Sequence, residues 1–308
     1  MQEVLSEAAC RAAGAYFTQK RRAGRRALLL AAGCFAAGAG LTALLWPRLG
    51  AGAAAFCGVL LCFFLLMAII QLKKRYRKTG EGYLDTVRPV LARELYPDCT
   101  FALLGTRQDM QKRLQAAAVW VIGGELAEYG GSICLSTPVG TVYAHDFTED
   151  CRPGDSDSHA LQDWVVYELA LPEGSPWRSN GMAQIRRGRT GDRHFAAVLQ
   201  RALHQLPRMV DRGLPENRIE GTPLVLSTTD TAYFQTVLAQ VGTQALEDFF
   251  RLCGSCNTVC YCGSTLYVFA RGQRLDQRWS DSRRLEPEAV SRNAAAVERT
   301  IHALEALV

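Results

Sequence analysis

The sequence predicts an α+β protein: an N-terminal transmembrane helical hairpin followed by a mixed, mainly antiparallel sheet domain with packed helices. Residues 27–46 and 49–72 form runs of 20 and 24 residues without a charged side chain. At roughly 1.5 Å per helical residue, each run reaches about 30 Å, which is the thickness of the hydrocarbon core. From residue 79 onward, runs of strand periodicity are interrupted by helical segments without regular alternation, which is typical of α+β domains.

The predicted organisation therefore has four segments. These are a cytoplasmic N-terminal helix with a basic flank (1–26), the two-span hairpin (27–72), a basic stem (73–82) and a cytoplasmic α+β domain (83–308).

Composition and charge exclude a nucleic-acid-binding protein. The chain has 308 residues, of which 48% are hydrophobic and 21% charged, so it is too apolar to be disordered. Residues 1–78 contain 12 Lys/Arg and two Asp/Glu, a net charge of +10, whereas the remaining residues carry a net charge of −5. A basic groove that follows phosphates is therefore not expected in the larger part of the chain.

Basic residues flank the two apolar runs on their outer sides, and Arg48 is the only basic residue between the runs. The positive-inside rule then places both chain ends in the cytoplasm. Ten residues are predicted to contact anionic lipid headgroups: Lys20, Arg21, Arg22, Arg25, Arg26, Lys73, Lys74, Arg75, Arg77 and Lys78.

The alternatives to a hairpin are a soluble protein with two buried helices and a cleaved signal peptide. Neither predicted helix has a polar face, which disfavours a soluble protein. A second span follows the first, which disfavours a cleaved signal peptide. Neither run contains an ionisable residue, which favours an anchor over a channel or transporter. Small residues four apart indicate close packing within the hairpin or between copies of the chain. They are Ala32, Ala36, Gly40, Gly50, Ala54 and Gly58.

Pattern and turn residues predict the other elements. The N-terminal helix would place Val4, Leu5, Ala8, Ala12 and Tyr16 on one side. A further helix, which ends at Pro97, would begin after Gly80 and Gly82 break the stem. The predicted hairpins pair residues 132–136 with 141–147 and 257–262 with 265–270, and 116–122, 164–171, 182–186 and 223–227 are further strands. Helices are predicted at 230–242, at 243–253, from 287 to the end, and after a cap at residue 192.

Four cysteines in ten residues, Cys253, Cys256, Cys260 and Cys262, are the candidate metal ligands. Cys260 and Cys262 lie in a strand pattern, roughly 7 Å apart on one face, which is too far for two thiolates on one tetrahedral ion. A redox pair of Cys253 and Cys256 would ordinarily open a helix, whereas this pair follows one. Small buried cysteines are the third alternative.

An acidic stretch that begins at His145 and Asp146 is predicted to form one loop, either a cation site or a solvated loop. It continues through Glu149, Asp150, Asp155, Asp157 and His159. The order of its residues lacks the pattern of a Ca²⁺ loop, which favours the solvated loop.

The last helix carries a short heptad-like stripe, which predicts packing either on its own sheet or between copies of the chain. The stripe consists of Val290, Ala294, Val297, Ile301, Leu304 and Val308.

The chain contains no nucleophile elbow, phosphate loop, dinucleotide fingerprint or zinc-protease motif. No catalytic residue and no cofactor is therefore predicted, and the expected function is a membrane-anchored binding or scaffold module. A protein partner or a homo-oligomer would accompany the lipid bilayer. The alternative is an enzyme whose site forms in three dimensions around Cys256, Cys260, His145 or His194.

Several segments together resemble a bacterial family of membrane-anchored proteins known as domain of unknown function 3137. They are a basic stem leading into residues 83–97, strands at 139–143 and 181–185, the stretch 225–230 before helices, and a strand at 266–268. The resemblance covers residues 20–275 and implies a paired transmembrane segment followed by a cytosolic domain. It implies no catalytic residues, and the cysteine-rich run is outside the shared pattern.

Overall fold

The computed structural model describes residues 5–116, 125–150, 161–187, 216–277 and 284–308. Within the first helix the backbone is described throughout, but some side chains are not. These are the side chains of residues 34, 41, 42, 44–46, 48, 49, 51, 53–55, 57, 62, 66, 69 and 72–81.

The described helices lie at both ends of the chain and between the strands. They are α1 (Glu7–Thr86), α2 (Arg88–Leu95), α3 (Arg107–Ala116), α4 (Thr231–Val241), α5 (Gln244–Leu252), α6 (Pro287–Leu304) and a final 3₁₀ turn (Glu305–Leu307).

The described strands form one nine-stranded sheet in the order β1-β2-β3-β4-β9-β8-β5-β7-β6, and each neighbouring pair is antiparallel. The strands are β1 (Cys99–Ala102), β2 (Glu125–Thr137), β3 (Gly140–Asp150), β4 (Leu161–Ala170), β5 (Met182–Arg187), β6 (Glu216–Arg218), β7 (Leu224–Thr228), β8 (Cys256–Cys262) and β9 (Thr265–Arg271). The predicted α+β class with a mainly antiparallel sheet is confirmed.

The chain forms two compact units. The hairpin unit contains the described residues of 4–91 and 278–286, and the sheet unit contains those of 92–277 and 287–308.

The sheet unit has a hydrophobic core on each face of its sheet, because strand side chains alternate between the two faces. On the first face, α4, α5 and α6 pack through residues such as Phe234, Phe250 and Val297. On the second face, α3 packs through Met110 and Leu114.

The hairpin unit is built from two antiparallel arms of α1, which break at Gly50. Gly50 has φ 71° and ψ 176°, a backbone conformation open to glycine but costly for residues with a side chain. The arms meet at Tyr16 and Tyr83, whose ring centroids are 5.3 Å apart, and at Gly38 and Leu61. The turn was predicted at residues 47–48, and this position is wrong because Pro47 lies inside the helix.

Most of the predicted strands and helices of the sheet unit are confirmed. The Asp230 carboxylate accepts a 3.0 Å hydrogen bond from the Tyr233 amide at the start of α4, and Gly242, with φ 81°, ends this helix. The hairpin of β8 and β9 turns at Gly263 and Ser264 as predicted. The strand predicted at 116–122 and the helix predicted after residue 192 lie outside the described residues, apart from Ala116, which ends α3.

Two local predictions are wrong. The helix of the second arm continues through Gly80 and Gly82 to Thr86, so these glycines do not break the stem. In the N-terminal helix, Ala9 and Ala13 are buried where Ala8 and Ala12 were predicted. Small residues occupy both stripes, and alanine spacing alone does not indicate which stripe faces the second arm.

Candidate functional site

The hairpin unit exposes a large apolar surface on both of its arms. Leu29 is 70% exposed and Val59 is 69% exposed. In contrast, the exposed large apolar residues described in the sheet unit are scattered: Leu103, Leu104, Val241 and Leu252. We use the name apolar surface for Leu28, Leu29, Leu30, Phe35, Phe56, Val59, Leu60, Phe63, Phe64, Met67 and Ile70. Contiguous apolar patches of this kind mark contact with a membrane or with another protein.

No helix formed by the described residues is both long enough and apolar enough to cross a membrane. Many side chains of residues 27–46 and 49–72 lie outside the described part of the chain. The two predicted spans are therefore not confirmed and stay a prediction.

The predicted headgroup contacts divide into three groups. Arg21, Arg22, Arg25 and Arg26 are exposed on the first arm. The side chain of Lys20 is buried, with its ammonium 6.0 Å from the centroid of the Tyr16 ring, and its contact with lipid stays a prediction. The side chains of the second flank are outside the described residues: Lys73, Lys74, Arg75, Arg77 and Lys78.

The two arms approach each other closely at Gly38. A Cβ atom on Gly38 would lie 1.7 Å from Leu61 Cδ1, so the leucine side chain occupies the space that glycine leaves open. Gly40 and Gly58, which were predicted to make the close contacts, have no described heavy atom within 4 Å of such a Cβ. These two glycines therefore make no close described contact within the hairpin, and packing of the small residues between copies of the chain stays a prediction.

We expect Gly38→Leu to separate the two arms, because overpacking of a tight contact costs about 1–3 kcal/mol. Spin labels at Gln19 and Asp85, in a chain otherwise free of cysteine, would show a longer and broader distance distribution. The exchange Gly38→Leu with Leu61→Gly should restore the native distance. Gly40→Leu is the matched control, and an equal effect of both single variants would contradict the contact.

The sheet unit contains a buried chain of hydrogen bonds on the face covered by α3. The Tyr129 hydroxyl lies 2.6 Å from Ser132 Oγ, and Ser132 Oγ lies 2.6 Å from His145 Nδ1. His145 Nε2 is 3.4 Å from a Glu168 oxygen, and Arg113 donates a 2.6 Å hydrogen bond to the other oxygen of Glu168.

The acidic loop predicted to begin at His145 is wrong in its first part, because His145 and Asp146 lie in β3 and point to opposite faces of the sheet. Residues 151–160 of that loop are outside the described part of the chain.

The hydrogen-bond partners assign a consistent direction to this chain. With the proton on Nε2, His145 donates to the Glu168 carboxylate and its Nδ1 accepts from the Ser132 hydroxyl. Ser132 then accepts from Tyr129, whose oxygen accepts a 3.3 Å hydrogen bond from the Leu104 amide. Serine, histidine and glutamate are the residue types of a nucleophile relay. Ser132 and His145 are nevertheless buried, so a substrate has no access to the nucleophile in this arrangement.

A pair of glycines makes the contact between Tyr129 and Ser132. Residues three apart in a regular strand point to opposite faces, but β2 contains a bulge between these two positions. Gly131 has φ 90°, and a Cβ atom there would lie 2.6 Å from the Phe101 ring. The Gly130–Gly131 pair is the sequence feature that could have predicted this bulge.

Glu168 connects the buried chain of hydrogen bonds to the surface of the sheet unit. Burial raises the pKa of Glu168, but hydrogen bonds from His145 and Arg113 and the charge of Arg113 outweigh burial, so the pKa lies below its ordinary value of 4.5. A carboxylate with a lowered pKa stabilises the fold above its unfolded-state pKa, and this contribution is lost as the pH falls through the lowered value.

We expect Glu168→Gln to reduce the free energy of unfolding at neutral pH by about 1 kcal/mol, because a charged hydrogen bond to the half-exposed Arg113 is lost. The difference from the unsubstituted protein should shrink as the pH falls below about 4. Urea unfolding between neutral pH and about pH 3 tests this. Glu305→Gln at an exposed position is the control, and a difference that grows in acid would contradict the assignment.

A second polar cluster is buried on the opposite face of the sheet. Arg274 is 3% exposed and donates hydrogen bonds of 3.0 Å to Asp146 and 2.8 Å to Thr148. Its Nε lies 3.8 Å from an oxygen of Asp163. Nε and the second terminal nitrogen of Arg274 have no hydrogen-bond partner among the described atoms. The cluster holds the segment after β9 against β3 through a charge pair removed from water.

The four candidate metal ligands are divided between the two faces of the sheet. Cys253 and Cys256 pack in the core with α5 and α6, whereas Cys260 and Cys262 pack on the face of α3. No group of three or more metal-ligating side chains occurs among the described residues. A single four-cysteine site is therefore incompatible with the fold.

Cys253 and Cys256 form a pair at the end of α5. Interaction with the Cys256 thiol, with contributions from Thr300 and Arg299, lowers the pKa of Cys253 to about 7 although burial opposes it. The neighbouring Cys253 thiol and burial raise the pKa of Cys256 well above its ordinary value. The pKa values of the two thiols are thus shifted in opposite directions.

The residues named for an enzyme site do not converge. Cys256 lies on one face of the sheet, and His145 and Cys260 lie on the other. β4 and β9 separate the strands of His145 and Cys260, which places them roughly 14 Å apart. His194 is outside the described residues.

The stripe of the last helix is buried within the sheet unit. Val290 and Val297 are completely buried, and Ile301 and Leu304 pack in the same core as α5. Packing of this helix on its own domain is therefore confirmed, and the stripe is not available for a coiled coil between copies.

No family model, no curated protein and no solved structure matches the chain. The resemblance to domain of unknown function 3137 stays a prediction.

Proposed function

We propose that the protein is a membrane-anchored binding or scaffold module. In this proposal the two arms of α1 insert as antiparallel spans, and the sheet unit acts at the inner face of a bacterial membrane. The observation that carries the proposal is the apolar surface, which extends over both arms and whose large described side chains are 37–72% exposed.

The charge distribution supports insertion of the hairpin rather than burial in a protein partner. The exposed Arg21, Arg22, Arg25 and Arg26 precede Leu28 on the first arm, where they would meet anionic headgroups as the arm enters the bilayer. Arg48 is the single basic residue between the two apolar runs. The positive-inside rule then favours a cytoplasmic location for both ends of the chain.

The contact between the arms also fits a hairpin in lipid. Apolar side chains gain little from association when lipid is the solvent, so close backbone packing at small residues takes over this role. The seating of Leu61 against Gly38 is a contact of this kind. The exposed Val59 and Phe63 flank Leu61 in sequence and face away from the other arm.

A binding role for the sheet unit is favoured over catalysis. Its described clusters of reactive residue types are enclosed: Ser132, His145, Arg274 and Cys256 are all buried. An anchor raises the effective concentration of a domain near membrane partners, so even a weak surface contact becomes sufficient. The proposed partners are the lipid bilayer, its anionic headgroups, and a protein or second copy of the chain, without nucleic acid.

Extraction of bacterial membranes that contain the full chain tests the proposal. Alkaline carbonate should leave the protein in the membrane pellet, because insertion does not depend on surface charge. The purified chain should also float with vesicles of phosphatidylethanolamine and phosphatidylglycerol after removal of detergent. Release by carbonate or by high salt would contradict insertion and would indicate a peripheral contact.

A further inference from the structure

The turn between α5 and β8 brings two cysteines together. Cys253 follows the last residue of α5, and Cys256 is the first residue of β8. The Cys256 amide donates a 2.8 Å hydrogen bond to the Cys253 carbonyl, which closes a four-residue turn. Such turns hold their end Cα atoms within about 7 Å, and disulfides require Cα separations of about 4.4–6.8 Å. The backbone is therefore already shaped for a disulfide.

The side chains of the pair point into the same environment. Both thiols lie in the same core against α6, and Cys253 Sγ lies 4.0 Å from the Arg299 carbonyl oxygen. Thr300 is fixed, because Gln273 donates a 3.0 Å hydrogen bond to its hydroxyl. Both thiols are buried, Cys253 at 3% and Cys256 at 2% exposure, so a reagent reaches them only when the turn opens at the exposed Gly254.

We infer that Cys253 and Cys256 form a reversible redox site, which closes to an intrachain disulfide by exchange with a low-molecular-weight disulfide. This site does not depend on the proposed membrane function. The rule that a redox pair opens a helix does not hold here, since the pair follows α5. Instead of a helix N-terminus, the neighbouring Cys256 thiol and Thr300 stabilise the thiolate of Cys253.

The exchange has two steps. The Cys253 thiolate attacks one sulfur of the small disulfide and releases the first thiolate, which leaves a mixed disulfide on Cys253. Cys256 then transfers its proton to the departing group, and its sulfur attacks Cys253 Sγ and displaces the second small thiol. The two cysteines are oxidised by two electrons in total, and the small disulfide is reduced to two thiols.

The lowered pKa of Cys253 and the raised pKa of Cys256 support this order of events. The thiol with the lowered pKa is the one that attacks first, because thiolates are the nucleophiles in exchange. Cys260 does not lie in such a turn, because it is in the middle of β8. Burial raises the pKa of its thiol far above the ordinary value, and it lies on the opposite face of the sheet.

Equilibration of the full chain in glutathione buffers, from fully reduced to fully oxidised, tests the inference. After an acid quench, free thiols are alkylated and the tryptic peptide 252–271, which contains all four cysteines, is sequenced by mass spectrometry. We expect a disulfide between Cys253 and Cys256 that reverts on return to reduced glutathione. Peptide sequencing of the unsubstituted chain identifies the bond even if a variant fails to fold.

The variants separate this pair from its neighbours. Cys253→Ser and Cys256→Ser should each abolish the disulfide, and Cys256→Ser should retain a glutathione adduct on Cys253. Cys260→Ser is the matched control and should leave the buffer midpoint unchanged. Thr300→Val should slow alkylation of Cys253 at neutral pH without preventing closure. A pair that stays reduced in the most oxidising buffer, or a disulfide that joins other cysteines, would overturn the inference.

Discussion

Replacing Phe56, Val59 and Phe63 together by aspartate is expected to remove the protein from the membrane fraction. The three residues are exposed on one face of the second arm, near the middle of the apolar run 49–72. An aspartate near the centre of a spanning helix costs about 2.5–3.5 kcal/mol, so three would cost about 9 kcal/mol. Because every 1.4 kcal/mol is a factor of ten in an equilibrium constant, this cost lowers the equilibrium constant for insertion of the hairpin by about six orders of magnitude.

Carbonate extraction and vesicle flotation measure the effect. The matched control places three aspartates at Leu103, Val241 and Leu252, which are exposed apolar residues of the sheet unit. This control should remain in the membrane pellet. If the substituted hairpin also remained there, the apolar surface would not be what holds the protein at the membrane.

Asp146→Ala is expected to destabilise the sheet unit by about 3–5 kcal/mol. The substitution leaves Arg274, which is 3% exposed, without its 3.0 Å carboxylate partner. A buried charge that loses its partner is costly because it has already lost its hydration. Folded domains are stable by about 5–15 kcal/mol, so this is a large part of the total. Urea unfolding of the full chain in detergent, followed by tryptophan fluorescence, measures the loss.

Two variants test whether the loss of stability comes from the buried charge of Arg274 or from a general loss of packing. Asp248→Ala removes the carboxylate of the exposed pair with Arg251 and should cost less than about 1 kcal/mol. Adding Arg274→Met to Asp146→Ala should restore part of the stability, because it removes a buried guanidinium whose remaining carboxylate neighbour, Asp163, lies 3.8 Å away. A double variant that is less stable than Asp146→Ala alone would contradict this explanation.

Local patterns predict those elements whose limits depend on nearby residues. Asp230 and Gly242 mark the start and end of α4 because capping and positive φ are local requirements. β1 and α3 were not predicted. β1 has only four residues, and α3 buries only Met110 and Leu114 on a mostly polar helix, so neither produces a clear periodicity.

The clusters of the sheet unit were beyond prediction because they depend on strand order and register. Ser132, His145 and Glu168 come from β2, β3 and β4, and their contacts require the bulge in β2 as well as both registers. Arg274 reaches Asp146 across 128 positions of sequence. The Cys253–Cys256 pair was visible as a spacing, but its burial in the core and the contact of Cys253 with Arg299 depend on how α6 packs.

The position of the hairpin contact was not predictable for a related reason. Small residues recur along both arms, and in apolar runs the positions that face lipid resemble those that face the partner arm. Gly38 is selected by the register of the two arms, which the turn at Gly50 sets.

Protease protection of a C-terminal tag tests the central claim most directly. The tag follows Val308 on a flexible linker, and protease is added either to spheroplasts or to inverted membrane vesicles. Two antiparallel spans with cytoplasmic ends predict a tag that survives in spheroplasts and is removed in inverted vesicles, while a periplasmic marker shows the opposite behaviour. Cleavage of the tag in intact spheroplasts would contradict the proposed topology.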